Sequence, residues 1–116
     1  MGGSELEPLK ETLARAPLPI ALALLFGSRA RGEALAESDY DLLIVSPAFR
    51  GMPYLERLLL LHRILPLRHV DYVALTPEEW ALRREEIGVV GEAAREGIVL
   101  LENPSLLLSP GPVGLR

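Results

Sequence analysis

Apolar and polar positions along the chain follow two periods, and the switches between them mark the elements. Leu6, Leu9 and Leu13 recur at helical spacing and predict a helix over 5–16, with Pro8 tolerable in its first turn. Pro17 and Pro19 stop that helix. The nearly unbroken apolar run at 20–26 predicts a central strand covered on both faces. A second strand, YDLLIV, is predicted at 40–45 and ends at Ser46-Pro47. Pro53 opens a helix to Leu65, with Leu55, Leu58, Leu59 and Ile64 expected to face the sheet. Leu60 and Leu61 widen its apolar face beyond one stripe.

Residues 68–75 read as a third strand, with His69 and Asp71 on one face by alternation. Thr76-Pro77-Glu78-Glu79 is a capping box with Pro at the first position. It opens a helix carrying Trp80, Leu82 and Ile87, and the helix dipole accounts for the two glutamates. A short helix at 92–96, stopped by Gly97, leads to a last strand at 98–101. This order predicts an α/β fold, a small mixed sheet flanked by helices. A single domain is expected over 1–102, followed by a Pro- and Gly-rich tail over 103–116 whose leucines at 106–108 look exposed.

The stretch 26–45, FGSRARGEALAESDYDLLIV, interrupts this regular pattern. Gly27 permits a sharp turn and close approach of a ligand to the backbone. Ser28 stands where a helix would begin, so free N–H groups and a hydroxyl favour phosphate there. Each feature alone also has a plain reading, Ser28 as a cap and Ser38-Asp39 as turn chemistry. Asp41 is harder to explain that way. Aspartate is disfavoured in strands, yet Asp41 heads the apolar run LLIV, a local conflict of the kind found at functional sites. Asp39 and Asp41, two residues apart on a strand, share a face with Cα atoms about 6–7 Å apart. Mg²⁺ would relieve the repulsion between two such carboxylates.

These residues resemble the nucleotidyltransferase superfamily that includes DNA polymerase beta and kanamycin nucleotidyltransferase. The likeness is strongest to its shortest branch, the minimal nucleotidyltransferases (MNT). Gly27, Ser28, Arg31, Gly32, Ser38, Asp39, Asp41 and Leu42 fill the positions of that signature. Asp71, in HVDYVAL, fits the place of the third carboxylate. The resemblance implies a Mg²⁺-dependent transfer of a nucleoside monophosphate from a triphosphate, with ATP the expected donor, to a hydroxyl acceptor. It assigns Gly27, Ser28, Arg31 and Ser38 to the phosphates, and Asp39, Asp41 and Asp71 to catalysis and a two-metal site. It also implies an alternative role as the antitoxin of a HEPN/MNT toxin–antitoxin pair, neutralising a helical HEPN toxin chiefly by complex formation.

Composition sharpens this picture. Of 16 acidic residues only three are Asp, at 39, 41 and 71, which points to a need for short, stiffly placed carboxylates there. Glutamate enrichment is also a habit of heat-adapted proteins. The net charge of −4 advertises no nucleic-acid surface. Absence of Cys removes disulfides and thiolate catalysis. No apolar run reaches the ~18 residues of a membrane span, and no apolar signal core opens the chain, so a cytoplasmic location is expected. The surplus leucines at 53–65 and 106–108 predict an interface, either a homodimer or a complex with a small helical HEPN-type protein.

Overall fold

The computed structural model describes residues 2–27 and 40–107, with side chains from Leu6 onward. Helix α1 spans Gly2–Ala14, and strand β1 (Leu22–Phe26) follows after the two prolines. Strand β2 (Tyr40–Val45) leads through a 3₁₀ turn at Pro47–Phe49 to α2 (Tyr54–Ile64), then β3 (Val70–Leu75). Helices α3 (Pro77–Arg83) and α4 (Val89–Glu96) precede β4 (Ile98–Glu102) and a final turn of helix, α5 (Pro104–Leu107). The sheet order is β3-β2-β1-β4. β1 is antiparallel to both neighbours, and β2 and β3 run parallel, so the sheet is mixed as expected. No described helix is long and apolar enough to cross a membrane.

Alternation along the central strands builds a core on each face. On one face Ala23, Leu25, Leu42, Ile44, Tyr72 and Ala74 pack with Leu9 and Leu13 of α1 and Leu61 of α2. On the other, Leu22, Leu24, Phe26, Leu43, Val45 and Leu75 pack with Trp80 of α3 and with Val90 and Ala93 of α4. Burying β1 on both faces explains why its sequence is uniformly apolar.

Several local expectations are corrected. α1 begins at Gly2, so Pro8 lies inside the helix and cannot donate a hydrogen bond to the turn before it. α2 does not turn Leu55 and Leu59 to the sheet; they are 66% and 57% exposed. Its inward positions are Leu61 and Arg57, the latter only 7% exposed. The Arg57 guanidinium bonds the Met52 carbonyl (3.0 Å), the Ala74 carbonyl (3.1 Å) and Glu79 (2.7 Å). Glu79 also closes the capping box of α3, accepting from the Thr76 backbone N–H while Thr76 Oγ1 accepts from the Glu79 N–H. The two acids of that box are thus ion-pair partners as well as dipole complements, because Glu78 pairs with Arg50 at 2.6 Å. Leu82 and Ile87 are exposed, and only Trp80 of that trio enters the core. Leu106 and Leu107 are half-buried and pack beside the Trp80 cluster, where they had looked exposed.

Candidate active site

The site is set by one row of residues across three strands. In the β1–β2 register Phe26 lies opposite Asp41, and in the β2–β3 register Asp41 lies opposite Asp71. Residues directly opposite share a face, so both carboxylates project on the side covered by α3 and α4. Their strands are neighbours, which places the two Cα atoms about 4.8 Å apart. The row sits where β1 ends and β2 and β3 begin. Burial falls along it: Phe26 is buried, Asp41 half-buried and Asp71, on the edge strand, exposed. One carboxylate is therefore held by its surroundings, and the other faces solvent.

Gly27, one residue past Phe26, adjoins the row. Its φ of +79° is open to glycine and costly for residues with a Cβ. A Cβ added there would overlap Asp41 Oδ2 and stand 3.3 Å from Asp41 Cγ. The missing side chain makes room for a carboxylate, a role that the sequence reading, which assigned this glycine to turning and phosphate approach, had missed. The signal for it is positional: Gly27 directly follows Phe26, the residue that pairs with Asp41, the first acid of the next antiparallel strand.

The structure thus brings together Gly27, Asp41 and Asp71. Ser28, Arg31, Gly32, Ser38 and Asp39 lie outside the described residues. Among the described residues no three metal-binding side chains converge. Asp41 and Asp71 supply two oxygen donors on adjacent strands, a donor set suited to a hard divalent cation. His69 does not join them on a strand face. It precedes β3 with φ 57°, and its carbonyl accepts from the Tyr40 N–H at 2.7 Å. The alternation argument fails for it because the strand starts one residue later. His62 rests edge-on against Tyr72, ring centroids 4.9 Å apart, on the face away from the carboxylates.

A mixed sheet with an acidic row where β1 ends and β2 begins is consistent with an enzyme that transfers nucleotidyl groups. The chain belongs to the nucleotidyltransferase domain family, whose sequence model matches residues 6–91. Two solved structures share its fold. One is a crystal structure, at 1.40 Å, of a candidate nucleotidyltransferase from Sulfolobus solfataricus, with TM-score 0.57 and 23% identity over 95% of this chain and 87% of that one. The other is a toxin–antitoxin crystallised with AMP-PNP, with TM-score 0.55 and 16% identity over 84% of this chain and 73% of that one. No curated protein sequence matches significantly.

Proposed function

We propose that the protein transfers a nucleoside monophosphate from a Mg²⁺-bound triphosphate, ATP by preference, to a hydroxyl acceptor and releases pyrophosphate. The observation that carries this reading is the in-register pairing of Asp41 with Asp71 beside the open Gly27 position. Asp39 and Asp41 would hold one metal position, and Asp41 and Asp71 a second. Mg²⁺ held by these carboxylates would supply the positive charge that an in-line displacement needs at its attacking and leaving oxygens. Gly27, Ser28, Arg31 and Ser38 would seat the phosphates. Asp71 would take the proton from the acceptor hydroxyl, a role its exposure on the edge strand supports.

The toxin–antitoxin neighbour, solved with a nucleotide analogue, supports a protein acceptor; the family resemblance makes that acceptor a small helical partner of HEPN type, in the cytoplasm. In that setting neutralisation by complex formation is the second reading. Residues 1–102 form the catalytic unit, with 103–116 as a tail. The test incubates purified protein with each triphosphate, Mg²⁺ and the neighbouring gene product, and weighs every species by mass spectrometry. A nucleotidyl mass gained by the partner and lost in Asp71→Asn supports transfer. A stable complex with no mass gain under any triphosphate favours the antitoxin reading.

A further inference from the structure

We infer that the outer face of α2 joins two copies of this chain about a two-fold axis. Met52, Glu56, Leu59, Leu60 and Arg63 line one shallow cleft. The last four recur at helical spacing and so occupy a single face. Leu59 is 57% exposed and Leu55, one turn earlier, 66%. Glu56 and Arg63 are both exposed, and neither has an ion-pair partner among the described residues.

The pattern on this face is self-complementary. Lay two α2 helices antiparallel, crossing between Leu59 and Leu60. Glu56 of each copy then meets Arg63 of the other, and the leucines meet at the centre. This is the requirement of an isologous contact, in which one patch pairs with itself. A parallel arrangement sets Glu56 against Glu56 and Arg63 against Arg63, so charge selects the antiparallel one. The same face offers a heterologous partner no such built-in match.

α2 lies on the opposite side of the sheet from the carboxylate row, so pairing leaves Asp41 and Asp71 uncovered. The helix has 11 residues and is about 16 Å long. A contact of that size falls below the ~1,600 Å² of a standard interface, which predicts a reversible dimer with Kd on the order of 10 μM. The flanking pairs are solvent-exposed, so added salt weakens it.

Sedimentation equilibrium over a micromolar concentration series, without nucleotide, tests this independently of the transfer reaction. The wild type is expected to pass from monomer to dimer mass. Leu59→Arg should remain monomeric. Glu56→Arg and Arg63→Glu should each raise Kd by about tenfold or more, and combining them should restore the wild-type value. All three positions are exposed or half-exposed, and circular dichroism checks that the variants fold. A monomer throughout, a dimer indifferent to these substitutions, a charge-swapped double variant no better than the singles, or assembly only with a different helical protein would each overturn the inference.

Discussion

Replacing Gly27 by Ala separates two costs that the structure distinguishes. Gly27 and Gly51 share φ +79°, but an added Cβ at Gly51 meets nothing within 4 Å, whereas at Gly27 it overlaps the Asp41 carboxylate. Both alanines should cost about 1–2 kcal/mol for a left-handed backbone. At Gly27 the carboxylate must also leave its rotamer, which adds about 1 kcal/mol. In a domain of this size each kcal/mol lowers Tm by roughly 4–8 °C, so Gly27→Ala should melt several degrees below Gly51→Ala. With Asp41 as the proposed metal ligand, a displacement near 1 Å should lower turnover by about 10²-fold. Gly51→Ala should leave turnover alone. Asp41→Ala removes the overlapping atoms, leaving Asp41 Cβ at 3.5 Å, so combining it with Gly27→Ala should recover the extra stability loss. Thermal melts of the four variants and calorimetry with Mg²⁺ and ATP give both readouts. Equal melting losses for the two glycine variants, with undiminished nucleotide binding by Gly27→Ala, would refute the placement of Asp41 against Gly27.

Other expectations concern the scaffold. Arg57→Ala leaves two carbonyls and Glu79 without their partner, and should destabilise by about 2–3 kcal/mol in urea unfolding, below the fully buried range because the Glu79 side chain is 39% exposed. Hydrogen bonding from Arg57 holds Glu79 below its ordinary 4.5, and Arg50 does the same for Glu78. Their contribution is fully present above pH 4.5 and is lost as pH falls through the lowered folded values. A pH series of melts should show this loss, and its acid limb should flatten in Arg57→Met. The Tyr72 hydroxyl is buried with no hydrogen-bond partner among the described residues, and burial pushes its pKa up to about 12. Tyr72→Phe should therefore match or exceed wild-type stability, by up to about 1 kcal/mol, in the same unfolding assay.

Strand positions were legible because period and punctuation agree: β2 and the capping box of α3 fall where apolar alternation and Thr-Pro-Glu-Glu place them. The facing of α2 was not legible. Hydrophobicity argued for Leu55, but a guanidinium with oxygen partners on three residues and an aromatic neighbour, 5.9 Å from the Phe49 ring, competes for the inner position. The left-handed His69 carries no residue signal, since nothing about histidine announces a positive φ. Alternation could put Asp39 beside Asp41, but the meeting of Asp41 and Asp71 depends on a parallel register between strands thirty positions apart. Only the family resemblance anticipated it. The contact between Gly27 and Asp41 was hidden for the same reason: it arises from the pairing of β1 with β2, not from spacing along the chain.

The carboxylate row is tested most directly by titrating ATP into the protein with and without Mg²⁺, for the wild type and for Asp41→Asn combined with Asp71→Asn. The amides keep the shape of the row and remove its charge. Mg²⁺-dependent binding in the wild type and its loss in the double variant is the predicted result. Undiminished Mg²⁺-dependent binding in a folded double variant would contradict the assignment of this row as the metal centre.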